Sequence, residues 1–212
     1  NEEFQIEKIF NSNRFDKYLN KFINDTDLQF TKKLNGFGST THVSVMDNDG
    51  NAASITTTNG EGSGHIIPNY GIMMNNMLGE IDLNPFGFHS WDKKRRLPTM
   101  ISPIIIADKS GPRYVLGSGG SNRIRSANIQ VILNLLFNNF SLKKSISLPR
   151  IHLEGNTLFH EPGINLPNEK LNNIKIVPFD EKSLFFGGVN AVSKTEAIGD
   201  ERRGGVGLII EK

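Results

Sequence analysis

The stretch from Thr40 to Thr58 constrains this 212-residue chain more than any other. Thr40-Thr41-His42-Val43-Ser44-Val45-Met46 is β-branched and partly alternating, which favours a strand. Asp47-Asn48-Asp49-Gly50 is a tight-turn signal, with Gly50 free to take a positive φ. Asn51 to Thr58, carrying Ile55 and three consecutive threonines, reads as the returning strand. A loop of Asn48, Asp49 and Gly50 pairs Asp47 with Asn51, and therefore Thr40 with Thr58 at the far end of the ladder. A two-residue loop would displace every pair by one position.

Around this hairpin the pattern is mixed. Phe4, Ile6, Ile9, Phe10, Phe15, Leu19, Phe22 and Ile23 fall at roughly helical spacing, which reads as one or two short helices or as an arm lying on another domain. Asn35 to Ser39 is a flexible loop, and Gly71 to Met77 reads as a strand beyond the glycines of 60–64. Leu83 to Leu97 is irregular. Ile101 to Ala107 and Tyr114 to Leu116 read as buried strands around a turn at Lys109–Gly111. Gly117-Ser118-Gly119-Gly120-Ser121 follows at once, and then Ile124, Ala127, Val131, Leu135 and their neighbours repeat at helical spacing. Short strands and turns broken by Pro149, Pro162, Pro167 and Pro178 lead to a last strand at Leu208-Ile209-Ile210. Hairpins with few helices define an α+β class.

Composition excludes several functions. The 24 basic and 22 acidic residues leave a net charge of +2, no basis for binding nucleic acid by bulk charge. No apolar run approaches the roughly 18 residues of a membrane span. With no cysteine there is no disulfide, thiolate metal site or cysteine nucleophile, and the compartment is left open, the cytoplasm slightly favoured over the exterior. His152 and His160, with Glu154 and Glu161 nearby, fit no zinc spacing, so no metal is expected.

Two segments carry candidate chemistry. A threonine that opens a strand after Gly38-Ser39 becomes an N-terminal nucleophile if the chain is cut between Ser39 and Thr40. Its new α-amine, with a reference pKa of about 8, then serves as general base for its own hydroxyl. Thr58 opposite would hold that hydroxyl, although Thr-Thr is also ordinary strand composition. A strand, a glycine turn at Gly119-Gly120 and a helix start would present backbone N–H groups to an oxyanion or a phosphate, or simply turn the chain. His42 reads as a structural histidine and Lys93 to Arg96 as a solvated run.

These motifs together resemble the small subunit of the γ-glutamyltranspeptidase family. The resemblance rests on Thr40-Thr41-His42 and the Asp-x-Asp-Gly-Asn-Ala that ends at Ala52, on Asn75-Asn76, Leu97-Pro98-Thr99-Met100, Ser102-Pro103 and Gly117 to Ile124. Pro149-Arg150-Ile151-His152 and Asp200-Glu201-Arg202-Arg203 extend it more loosely. It implies an N-terminal nucleophile hydrolase αββα sandwich, of which this chain is the small-subunit half. Residues 1–39 would be the C-terminal end of the large subunit with the cleavage loop, and 40–212 the catalytic domain. It implies Thr40 as nucleophile, Ser39–Thr40 as the cleavage site, Thr58 as the orienting hydroxyl and Gly119-Gly120 as the oxyanion hole, with Ser121 the other candidate. Asn59 and Glu80 would grip the substrate amine and Thr99 its carboxylate.

Departures from the family pattern are specific. Paired serines are replaced by Pro98-Thr99, the usual Asp by Glu80, and its polar neighbour by Met77; Asn59 aligns only across a gap. A short interval from Glu80 to Thr99 implies a reduced lid and a wider substrate range. The expected activity is autoprocessed cleavage of γ-glutamyl amides or related N-acyl substrates, through an acyl-enzyme passed to water or an amine. No cofactor is implied; the partner is the large subunit of the same precursor. The competing readings are a non-catalytic phosphate or nucleotide module built on Gly117–Ser121, and an inactive paralogue.

Overall fold

The Thr40–Thr58 hairpin turns His42, Ser44, Ser54 and Thr56 inward and Val43, Val45 and Ile55 outward, and the rest of the architecture follows from what that inner face packs against. A computed structural model describes residues 40–92, 94–166 and 173–210. Strands β1 (Thr40–Met46) and β2 (Ala52–Thr58) pair antiparallel, with Thr40 opposite Thr58 and Met46 opposite Ala52. The three-residue loop sets this register. Asp47 fixes the loop by accepting the amides of Asp49 and Asn51 on one oxygen, at 2.9 and 2.8 Å, and the Asn51 side chain on the other.

Beneath the hairpin lies a four-stranded sheet in the order β11-β10-β6-β5, made of β5 (Ile104–Asp108), β6 (Gly111–Gly119), β10 (Gly188–Ser193) and β11 (Ala197–Ile198). Alternation along β6 splits its side chains between two layers. Leu116 of β6, with Val189 and Ala191 of β10, packs against helices α1 (Arg123–Leu136) and α2 (Leu142–Ser147) through Ala127, Val131, Leu135, Leu142 and Ile146. Gly117 and Gly119 face the hairpin instead. The Ser54 hydroxyl seals the hairpin by donating to the Leu116 carbonyl at 3.1 Å and accepting the Ile104 amide. The described residues thus form three layers, hairpin, sheet and helices.

A third sheet joins β7 (Ile151–Glu154), β8 (Thr157–His160) and β9 (Lys175–Pro178), the last pair parallel. Phe159, Phe179, Phe185 and Phe186 pack between this sheet and the main body, with ring centroids 4.9 to 5.3 Å apart along the chain of contacts.

Two sequence expectations are corrected. Within 71–77 only Ile72–Met73 (β4) is strand, paired with Ile66–Ile67 (β3). Beyond it Asn75 and Asn76 turn their side-chain oxygens to the amides of Met77 and Glu61, and a 3₁₀ turn over Met77–Gly79 ends the extension. Leu208-Ile209-Ile210 is not a strand: its apolar composition suits one, but no ladder partner is offered among the described residues, and the segment is exposed. The helical reading of 1–35 falls outside the described residues, as do Ser39 and the flexible loop before it.

Candidate active site

Thr40 opens β1 at the edge of the hairpin, and three elements meet there. Its hydroxyl donates to the Thr58 hydroxyl at 2.9 Å across the ladder. The Thr58 oxygen also accepts the Gly60 amide at 3.0 Å, so both contacts fix its position. From below, the strand end of β6 presses on Thr40. A Cβ added at Gly119 would lie 2.5 Å from the Thr40 carbonyl oxygen and 3.5 Å from its Cβ, so only glycine allows the approach. Gly120 follows with φ +137°, close to Gly187, and Ser121 takes a left-handed φ of 55° before α1 begins. Among the described residues no hydrogen bond uses the amides of Gly120 and Ser121. Those donors stand at the start of a 14-residue helix, where backbone dipoles favour negative charge.

His42 lies two residues along the same strand face and is 4% exposed. Its Nδ1 meets the Thr56 hydroxyl at 2.7 Å and its Nε2 the Ser44 hydroxyl at 2.8 Å. Burial lowers its pKa to about 4, so it is neutral at ordinary pH. A side chain at Gly117 would overlap the imidazole. This is a packing histidine, as the sequence suggested, and it accounts for Gly117 as Thr40 accounts for Gly119. The faces of those two glycines are therefore filled by protein and cannot cradle a phosphate.

Glu80 reaches this corner from the loop after β2. Its Oε1 lies 2.8 Å from where a Cβ would stand on Gly60, beside the Asn76 side chain. Partial burial, and then the charges of Asp82 and Glu61, hold its carboxyl above the usual value of 4.5. Asn59 is exposed; its carbonyl accepts the amides of Gly62 and Asn76, at 3.0 and 3.1 Å. Thr99 is not drawn in: it is exposed, and its hydroxyl accepts the Ile101 amide at 3.1 Å within its own turn. Thus Thr40 meets Thr58 and Gly119; Gly120 and Ser121 continue that turn in the chain; Glu80 and Asn59 lie around Gly60 just beyond Thr58; and Thr99 stands apart. Among the described residues no group of three His, Cys, Asp or Glu could hold a metal, and no helix is long and apolar enough to cross a membrane.

Two contributors escaped the sequence reading. Asn190 donates from Nδ2 to the His42 carbonyl at 3.0 Å and accepts the Asp200 amide on Oδ1, tying β1 to the chain's closing segment. Arg203 runs beside Gly188 and Gly120. The Asp200-Glu201-Arg202-Arg203 motif was visible, but nothing in it showed which arginine turns toward the site.

A strand-opening threonine, a glycine turn pressed against it and stacked sheets backed by helices define the N-terminal nucleophile hydrolase fold. One chain of a γ-glutamyltranspeptidase from Pseudomonas nitroreducens superposes with a TM-score of 0.67 at 23% identity, covering 81% of this chain and all of that one. The gamma-glutamyltranspeptidase family model matches residues 4–209, and the chain belongs to that family. It is 31% identical over 205 residues to the capsule biosynthesis protein CapD proenzyme of Bacillus anthracis, covering 88% of this chain and 38% of that protein. It is also 31% identical over 140 residues to the glutathione hydrolase proenzyme of Bacillus subtilis strain 168, covering 65% of this chain and 24% of the relative. The chain therefore spans well under half the length of these curated relatives.

Proposed function

We propose that this chain carries the catalytic half of a self-processing γ-glutamyl transferase or hydrolase, with Thr40 as its nucleophile. The observation that carries the reading is the junction at Thr40, where the Thr58 hydroxyl and the Gly119 backbone meet one side chain. In processing, Thr40 Oγ1 attacks the Ser39 carbonyl carbon and the peptide C–N bond breaks as an ester forms. Water then splits the ester, leaving Ser39 as a carboxylate and Thr40 with a free α-amine.

In turnover the α-amine takes the hydroxyl proton, Thr40 attacks the γ-glutamyl carbonyl, and the leaving amine departs with that proton. Water or a second amine reverses the step and releases the acyl group. Thr58 positions the attacking oxygen. The amide of Gly120, with Gly119 or Ser121 as second donor, stabilises the oxyanion, and each such donor is typically worth about 3–4 kcal/mol. Glu80, near the reacting end of β2, suits the donor's ammonium group. Relatives described as glutathione hydrolase, CapD and acylase ACY 1 proenzymes support acyl transfer on γ-glutamyl or related N-acyl substrates. A large-subunit partner completes the pocket, since the chain covers only part of those proenzymes.

The test is intact mass and N-terminal sequencing of the incubated protein. A fragment beginning at Thr40 is the expected result. Thr40→Ala should abolish the break and lower turnover by roughly 10⁴-fold or more. Thr58→Val, which keeps the side-chain shape, should slow both steps roughly 10- to 100-fold. Normal cleavage in Thr40→Ala would overturn the mechanism.

A further inference from the structure

Ser118 lies under the glycine turn, on the opposite side of the sheet from Thr40. Alternation along β6 puts it on the face of Leu116, toward α1, while Gly119 turns to the hairpin. Its side chain is fully buried. The hydroxyl oxygen accepts the Gly188 amide of β10 at 3.1 Å. An amide can only donate, so the hydroxyl proton is left for the Gly119 carbonyl, 2.8 Å away.

That carbonyl belongs to the peptide unit whose N–H is that of Gly120. The unit is trans and planar, so its C=O and N–H point opposite ways. Drawing the Gly119 oxygen toward Ser118 therefore turns the Gly120 N–H to the other side, where the hairpin and Thr40 lie. The space around this oxygen depends on Gly187, at a φ of +78°. A Cβ there would stand 3.1 Å from the Gly119 oxygen and 2.9 Å from Ser118 Oγ.

The next peptide unit is oriented by another means. Its Gly120 carbonyl accepts the Arg123 amide at 3.1 Å, so the first turn of α1 fixes it through backbone alone. The Gly119–Gly120 unit is flanked by glycine on both sides, and glycine leaves a peptide plane freer to rotate than any other residue does. Rotation would carry the Gly120 N–H away from Thr40. An oxyanion donor contributes only when it is already aimed at the place where charge develops. The Ser118 hydroxyl supplies that aim from the far side of the sheet, without touching any reacting atom.

We propose that Ser118 is a positioning residue of the oxyanion hole: by holding the Gly119 carbonyl it keeps the Gly120 N–H directed at the oxyanion, in self-cleavage and in turnover alike. The proposal rests on the acyl-transfer reading, and its test separates the two. Ser118→Ala removes the brace, and Ser118→Cys fills its space with a weak donor. In the full precursor the first-order rate constant of self-cleavage should fall roughly 10- to 100-fold in both variants, less than the about 10²- to 10³-fold that follows outright loss of a donor. In the assembled enzyme, chain and partner together and fully cleaved, kcat for γ-glutamylglycine should fall on the same scale. KM should stay within about twofold, as for an interaction made only in the transition state.

A general folding defect lowers the amount of chain that cleaves and leaves the rate constant of the folded fraction in place. Wild-type rates in Ser118→Ala overturn the assignment. Recovery in Ser118→Cys also overturns it, because volume alone would then matter, and so does a raised KM at unchanged kcat. If the wild-type protein neither cleaves itself nor turns over substrate, the acyl-transfer reading falls. A crystal structure of Ser118→Ala then decides the orientation alone: a Gly119 carbonyl turned from its present direction supports the brace, and an unmoved one removes it.

Discussion

Arg202 and Arg203 are adjacent in the chain and share almost nothing else. Arg202 turns into the protein, where its Nε and Nη2 fork onto the two oxygens of Glu161 at 2.6 Å each and its Nη1 reaches Asp200 at 3.2 Å. Asp200 also accepts Arg150 at 2.6 Å and the Val189 amide, and Glu161 accepts the Arg150 and Ser183 amides. Two cations and two anions, none more than 7% exposed, thus neutralise one another and pin the closing segment to α2, β7 and β10. Arg203 has no carboxylate within ion-pair distance among the described residues and lies along Gly188 beside Gly120. One arginine is spent on architecture and its neighbour is not.

The largest predicted effect tests this contrast. Arg202→Met strands the Glu161 and Asp200 carboxylates in the interior, and removing one member of such a cluster costs about 3–5 kcal/mol. Arg203→Met removes a charge that no carboxylate pairs within ion-pair distance among the described residues, and should shift stability by no more than about 1 kcal/mol. Urea midpoints of both variants measure the difference. Equal losses would mean that Arg203 is structural too, and the contrast would fail.

A smaller effect comes from Gly117. An alanine there must displace the His42 ring, which is held at both nitrogens, and overpacking of this kind costs about 1–3 kcal/mol. Because His42 anchors β1 two residues from Thr40, cleavage at Ser39–Thr40 should slow along with the loss of stability. A Gly117→Ala protein with an unchanged midpoint and cleavage rate would show that the hairpin is not seated through this contact.

How much of this was legible in sequence depended on distance along the chain. The hairpin register was readable because Asp47 and Asn51 fix it within five residues, and α1 because Ile124, Ala127, Val131 and Leu135 repeat locally. The glycine tract was readable as a turn, yet two of its glycines exist to admit His42 and Thr40, some 75 residues earlier in the chain, which no local pattern announces. The ion cluster was unreadable for the same reason, since it gathers Arg150, Glu161, Asp200 and Arg202 from separate segments. Leu208–Ile210 misled because apolar β-branched composition describes a side chain's preference, whereas a strand needs a partner backbone. The family motifs named Thr40 and Thr58, but not how Arg203 lies.

The smallest effect concerns Glu80, and its sign separates two uses of one carboxyl. Burial, Asp82 and Glu61 raise its pKa, so the folded protein holds this proton to higher pH than the unfolded chain does. That contribution to stability is complete below the ordinary value of 4.5 and is lost as pH rises through the raised folded value. Binding of the donor's ammonium runs the other way, because it needs the ionised carboxylate. KM for the γ-glutamyl donor should therefore climb as pH falls through the raised value, before an ordinary glutamate would respond. Glu80→Gln should remove that step, raise KM at neutral pH by about two- to tenfold, and gain slightly in stability there because the repelling charge is gone. Opposite movements of KM and stability in one variant are what a ligand-binding carboxylate produces. A KM profile that keeps its step in Glu80→Gln would place the titration elsewhere and return Glu80, like Arg202, to architecture.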